Sequence, residues 1–274
     1  MVGDSNVAEA GRGKHISHQF DNRAQFYRSR TGWLDDEILQ DRILARVPQE
    51  IEVCLDLGAG TGELTSAIQA QHSDALCLSV DISIGMVRQS VSRAVVGDAH
   101  DLPVRSSVAD CIVMRSVLSY LHLSRGLSEV RRVLRPGGSL IVAEKVRDNF
   151  CGPGDDWLRQ VEAARNPLKA PLLHSSQLAT RLAESGFEVL PDWSCLVQRR
   201  HEQSLDSWLK AIPSTPSARE MVLNLLRSAP ECVRDLGLSI TGGCVTVPTA
   251  WLVGVVGVNR VKARTKHYEG AAWT

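Results

Sequence analysis

Several things are missing from this 274-residue chain, and each absence narrows what it can be. Lysine plus arginine and aspartate plus glutamate both number 31, so there is no surplus of either charge. Without a global positive field to draw in a polyanion, nucleic acid is a disfavoured partner. The seven cysteines, at 54, 77, 111, 151, 195, 232 and 244, are odd in number and include no CxxC pair, so neither a disulfide framework nor a zinc site is expected. Cys54, Cys77 and Cys111 lie inside apolar runs and read as small core hydrophobes. No run approaches the roughly 18 apolar residues of a membrane span, and the first fifteen residues hold no apolar core of signal-peptide length. The expectation is a cytoplasmic protein with no membrane partner and no metal, acting as a monomer or homodimer.

The first 19 residues, rich in Gly, Ala and polar side chains without periodicity, are expected to be a mobile lead. From Phe20 to about Val47 the pattern is helical, with Leu34, Ile38, Ile43 and Val47 near one face, and Pro48 stops it. The middle of the chain then alternates short apolar runs with helical segments, as parallel βαβ units do. Val53–Leu57, Leu76–Val80, Ala94–Val96, Cys111–Met114 and Ser139–Ala143 read as five strands, and their unbroken apolar character suits strands covered on both faces. Pro136-Gly137-Gly138 reads as the stop of the helix before the fifth.

After Val146, Asn149 to Pro171 is broken by Gly and Pro and suggests a mobile segment or short cap. A helix capped by Ser175 and Ser176 should end at Gly186, before a strand at Phe187–Leu190. A helical stretch from Ser204 to Leu236, with breaks at Pro213, Pro216 and Pro230, precedes an apolar run from Trp251 to Val258. Arg260, Lys262, Arg264 and Lys266 form a basic stretch that reads either as an anion site or as a solvated tail.

The chemistry concentrates where the first strand runs into Gly58-Ala59-Gly60-Thr61-Gly62-Glu63. Glycines at alternate positions permit a tight turn and the close approach of a ligand to a helix N-terminus. A dinucleotide fingerprint needs a sixth-position glycine, but that position is Glu63, whose charge would repel a phosphate. Asp56, two residues before the first glycine, suits a cationic ligand instead. S-adenosylmethionine carries positive charges on its amino group and sulfonium and has no phosphate.

The D-x-G-x-G-x-G after the first strand resembles the first motif of the class I S-adenosylmethionine-dependent methyltransferases, and three further segments resemble that family in order. In LCLSVDISI, the acid Asp81, followed by Ile82, corresponds to the residue that takes the ribose hydroxyls; two carboxylate oxygens suit two adjacent O–H donors. In Val96-Gly97-Asp98-Ala99, Asp98 would accept from the adenine amino group while the Ala99 backbone meets the ring. The run from Asp101 to Leu121, with VRRVLRPGGSLI after it, is similar to the ubiquinone and menaquinone biosynthesis methyltransferases and their small-molecule relatives.

FDNRAQFY resembles the family's opening segment, in which an aromatic, here Tyr27, closes over the cofactor; Arg28 stands where an Asp is common. Arg115, at the exit of the fourth strand, joins the cofactor-binding set with Tyr27, Asp56, Gly58, Ala59, Gly60, Gly62, Asp81, Ile82, Met86, Asp98 and Ala99. Met86 either touches adenine or fills core.

The resemblance covers about residues 50–146. It implies an α/β fold: a Rossmann-like seven-stranded sheet with its last strand antiparallel, helices on both faces and a helical substrate cap. The methyltransferase domain would run from 20 to 260, with cap segments at about 20–47, 147–174 and 203–240 and a tail at 261–274. It also implies methyl transfer to an oxygen, nitrogen or carbon of a small-molecule acceptor, with a hydroxyl (or nitrogen) of an aromatic or natural-product-like metabolite the leading choice. The alternatives are a cofactor-binding protein without transfer, such as a cyclase or regulatory module, and a protein or RNA methyltransferase. A base is needed only when the acceptor must lose a proton. His122, just past the fourth strand, is the preferred candidate, with His15, His18, His174 and His201 behind it. Tyr27, Trp33, Tyr120, Phe150 and Trp157 read either as an aromatic wall for the acceptor or as core.

Overall fold

The computed structural model describes residues 3–31, 34–210 and 215–258; the basic stretch from Arg260 to Lys266, Trp33 and Pro213 lie outside them. The five expected parallel strands are present as β1 (Val53–Leu57), β2 (Leu76–Asp81), β3 (Ala94–Val96), β4 (Ala109–Arg115) and β5 (Leu134–Val146). Three more follow: β6 (Ser194–Ser204), the short β7 (Ser239–Thr241) and β8 (Cys244–Gly257). The sheet order is β3-β2-β1-β4-β5-β8-β6, with β7 added beside β8. Strands β1 to β5 are mutually parallel, and β8 runs antiparallel to both β5 and β6. The antiparallel last strand is therefore as expected, while the sheet has one more small strand than the seven anticipated.

Side chains alternate across the pleat, so each central strand feeds two cores. Leu55, Leu57, Ile112, Met114, Leu140 and Val142 face one side, where they meet Leu127, Val130 and Val133 of α6 (Leu123–Val133) and Leu178 and Leu182 of α8 (Ser175–Glu184). Cys54, Cys77, Cys111, Val113 and Ile141 face the other. There they meet Leu39 and Ile43 of α3 (Glu37–Leu44), Leu64 and Ile68 of α4 (Glu63–Gln71), and Trp251. The three thiols are buried and unoxidised, as expected of core hydrophobes.

Several local expectations need correction. The stretch expected as a mobile lead, residues 1–19, contributes most of a helix, α1 (Gly3–Asp21), and the short α2 (Tyr27–Arg30) follows it. Helix α3 buries Leu39 and leaves Ile38 exposed, because the face is set by Leu34, Leu39, Ile43 and Val47. Pro136-Gly137-Gly138 lies inside β5, where the pairing with β4 jumps from Ala109↔Leu134 to Cys111↔Ser139. The glycines accommodate that irregularity, with Gly137 at φ +85° donating to Val258 O. Phe187–Leu190 is not a strand: Phe187 packs into the core and Glu188 makes only an isolated bridge to Gly257.

Helices α7 (Pro153–Arg165), α9 (Leu205–Lys210), α10 (Pro216–Arg227) and α11 (Glu231–Asp235) gather around a separate apolar cluster that includes Phe150, Trp157, Trp208 and Val233. Pro216 begins α10 and does not break it, since the first helical turn needs no N–H at that position. No helix among the described residues is long and apolar enough to cross a membrane.

Candidate functional site

In an open parallel sheet the strand order reverses at one point, and the loops leaving the strands there diverge and open a crevice. Here the reversal falls between β1 and β4. A cavity of about 670 Å³ occupies that place, lined by Gly58 and Gly60 after β1, Asp81 and Ile82 after β2, Asp98 and Ala99 after β3, and Arg115, Ser116 and Val117 after β4. It is within the range of about 300–1,000 Å³ usual for small-molecule sites.

The glycine turn shapes one wall. Gly60 has φ +59°, and a Cβ there would stand 3.0 Å from Tyr27 Cε1. Gly58, at φ +66°, leaves no room for a Cβ against Val117. The backbone thus presents itself directly to the cavity. Opposite lies Asp81, 7% exposed, whose Oδ2 accepts from Gly60 N at 2.8 Å and whose Oδ1 accepts from Ser83 N at 2.9 Å. Burial pushes its carboxyl up to about 6, against the pull of those two amides. Each oxygen keeps a further lone pair for a hydroxyl donor.

At the other end Asp98 is locked by a neighbour the sequence reading passed over. His100 Nδ1 lies 2.7 Å from Asp98 Oδ1, and His100 Nε2 accepts from the backbone N–H of His122 at 2.9 Å. With Nε2 an acceptor, Nδ1 carries the proton and donates to the carboxylate, and this bond holds Asp98 below the usual carboxylate range. Asp98 Oδ2 takes no part in that pairing. A hint was legible in the two-residue spacing of Asp98 and His100.

The N-terminal helix supplies the roof, which the sequence reading also missed. Arg12, Ile16 and Phe20 of α1 line the cavity. The helix is fastened by Ser17 Oγ donating to Ile82 O at 3.1 Å, and by Asp21 Oδ1. That oxygen accepts from Ser83 Oγ at 2.6 Å and from Gly85 N at 2.8 Å, at the start of α5 (Ile84–Arg88). Ser116, at φ +59°, is a non-glycine residue in the left-handed region at the β4 exit, a conformation that needs support from its surroundings. Its N–H donates to Ala143 O.

Of the sequence-derived set, Tyr27, Gly58, Gly60, Asp81, Ile82, Asp98, Ala99, Arg115 and His122 line this one cavity. Asp56, Ala59, Gly62 and Met86 are set back from it. Asp56 is buried and accepts from Thr65 Oγ1 at 2.7 Å, with its carboxyl raised to about 6 by burial. A Cβ on Gly62 would meet the Ser90 and Ser92 hydroxyls. Met86 is fully buried beside Ala24, Tyr27 and Leu34.

Arg28 turns away to pair with Glu63 at 2.5 Å. Tyr27 and Tyr120, joined by Phe20, form an aromatic wall, with Phe20 and Tyr120 centroids 5.3 Å apart. Phe150 and Trp157 stack on each other in the helical cluster instead. Among the candidate histidines His122 alone lines the cavity. His15 and His18 are exposed, His174 caps α8, and His201 lies elsewhere.

Residues 55–142 match a family model described as a methyltransferase domain. The demethylmenaquinone methyltransferase of Mycolicibacterium gilvum is 37% identical over 115 residues, which is 38% of this chain and 50% of that protein. The O-methyltransferase cnsE of Penicillium expansum is 28% identical over 171 residues, 56% of this chain and 60% of that protein. The chain spans about half the length of the curated relatives it matches. The crystal structure of the YcgJ protein of Bacillus subtilis superposes with a TM-score of 0.65 at 19% identity, over 81% of this chain and 97% of that one, which shows a shared fold. The chain thus carries a match to a methyltransferase domain at residues 55–142, on a sheet whose fold it shares with that solved structure.

Proposed function

We propose that this chain transfers a methyl group from S-adenosylmethionine to a hydroxyl of a small aromatic or natural-product-like acceptor. One observation carries the reading: a single cavity joins a carboxylate with lone pairs to spare, Asp81, and a Cβ-free turn, Gly58 to Gly60, to an aromatic wall of Phe20, Tyr27 and Tyr120. The donor set fits the cofactor. Asp81 would take the ribose hydroxyls, Asp98 Oδ2 and the Ala99 backbone the adenine edge, and Arg115 the amino-acid carboxylate.

When bound, S-adenosylmethionine supplies an electrophilic methyl group on its sulfonium. The chain's own task is to place the acceptor in line and keep water away, which can account for much of the acceleration. His122, at the cavity rim, is the residue to receive the acceptor's hydroxyl proton as the oxygen takes the methyl group. Tyr27, buried with its hydroxyl pushed up to about 12, stays protonated and acts as a wall. The reading carries with it a cytoplasmic protein, monomer or homodimer, in keeping with seven cysteines that form no disulfide.

A radiolabelled-methyl assay over a panel of phenolic, carboxylate and amine metabolites tests the proposal. Label in a phenolic product supports it. Label in a carboxylate or amine corrects the acceptor, and cofactor binding with no transfer to any acceptor favours a binding module or cyclase.

A further inference from the structure

A second, smaller cavity of about 50 Å³ lies away from the main one, between the inner face of α7 and the strands β5, β6 and β8. Lys145, Arg165, His201 and Glu162 all line it, together with the Trp208 ring. Its charges do not balance. Glu162 is shared by two cations: Lys169 Nζ at 3.3 Å and Arg165 Nη1 at 3.8 Å. Lys145 has no ion pair or hydrogen bond from its ammonium among the described residues, and faces the Trp251 ring at 5.4 Å. Glu144, the other nearby acid, is already engaged: it accepts from the amides of Leu118 and Lys145, and burial raises its carboxyl. Three cations thus surround one available carboxylate.

Two further nitrogen-bearing side chains line this cavity: His201, and Arg165, whose Nη2 donates to Trp208 O at 3.4 Å. His201 Nε2 is buried without a hydrogen bond, 3.5 Å from Asp36 Oδ2, which is already paired with Arg199 at 2.6 Å. Arg165 lies over Trp208, its guanidinium carbon 3.8 Å from the ring centroid. An uncompensated buried cation is costly unless it finds a counter-charge or gives up its proton. Burial lowers the Lys145 ammonium to about 8 and lowers His201 as well, with Lys145 contributing to the second effect.

We propose that this cavity binds a small monovalent anion of formate or chloride size, held between Lys145, Arg165 and His201. The volume admits a few heavy atoms and excludes a larger metabolite. Bound there, the anion would bridge α7 to β5 and β6 and so tie the helical cluster to the sheet. The site is separate from the main cavity, and its test does not depend on methyl transfer.

Purified protein is titrated with sodium formate at constant ionic strength, using sodium gluconate, too bulky for the cavity, as the balancing salt. The melting temperature should rise saturably with formate, and 13C-formate should show saturable line broadening. In Lys145→Met, formate should bind at least about tenfold more weakly, while the near-ultraviolet circular dichroism of the fold is retained. His201→Gln, which keeps a donor, should retain partial binding; it serves if Lys145→Met does not fold. A formate response no greater than that to gluconate in the wild type, or an undiminished response in a folded Lys145→Met protein, overturns the assignment.

Discussion

The amide of Gly60 donates a 2.8 Å hydrogen bond to the carboxylate of Asp81, so the turn after the first strand and the acid ending the second are a single unit. Replacing Asp81 by Asn keeps the shape but removes the charge and one acceptor oxygen. Because a hydrogen bond to a charged group contributes about 1.5–3 kcal/mol, affinity for S-adenosylhomocysteine should fall roughly 10- to 100-fold. Calorimetry checks the affinity, and an unchanged circular dichroism spectrum shows that the fold is intact.

Gly60→Val should act on both fold and site. It forces a β-branched residue to φ +59° and drives a Cβ toward Tyr27. The left-handed conformation alone costs about 1–2 kcal/mol for a residue with a Cβ, so the melting temperature should drop. Cofactor uptake should be lost in the fraction that still folds.

The pH dependence has a definite sign. Hydroxyl donors favour the ionised form of Asp81, which in the ligand-free protein titrates near 6. Affinity should therefore be greatest above pH 6 and fall by up to about tenfold per unit below it. In Asp81→Asn this dependence should be flat. Stability of the ligand-free protein runs the other way for the same acids. Asp56 and Asp81 both lie near 6, above the ordinary 3.8, so the native state holds protons that the unfolded chain has released between those values. Their contribution is complete below about 3.8 and is lost as pH rises through 6; Asp56→Asn, compared by denaturant titration, should reduce that slope.

Asp21 clasps the roof. Asp21→Ala removes the acceptor for Ser83 Oγ and Gly85 N, and should cost about 1–3 kcal/mol of stability. It should also increase hydrogen exchange along α1 and weaken cofactor binding, although Asp21 itself does not line the cavity. Unchanged exchange in α1 would show that other contacts hold the helix.

His122→Ala should lower kcat for a hydroxyl acceptor about 100-fold while leaving S-adenosylhomocysteine affinity unchanged. An equal loss in affinity would instead assign His122 to binding, through the α6 terminus it precedes.

The sequence made the cofactor end of this molecule far more legible than the rest. β1 and β3 have the bounds expected, because each is a short, mostly apolar run that a glycine ends, Gly58 after β1 and Gly97 after β3, although β3 is an edge strand that leaves Val96 exposed and is not covered on both faces as anticipated. β6 was invisible: SCLVQRRHEQS is an edge strand whose polar residues alternate outward, and its pairing with β8 is a long-range fact. α1 showed no apolar periodicity, since it is held mainly by the polar fastenings of Ser17 and Asp21. Motif position places Asp56 and Met86 near the turn. Motif position does not say which face of a strand or helix a side chain occupies, and both proved to point into the protein.

The most direct test is an isothermal titration of S-adenosylhomocysteine into the wild-type protein and into Asp81→Asn at pH 7.5. One saturable site per chain in the wild type, weakened at least tenfold by the substitution, is the expected result. No heat of binding in the wild type, or equal affinity in both proteins, would contradict the placement of the cofactor at Gly60 and Asp81.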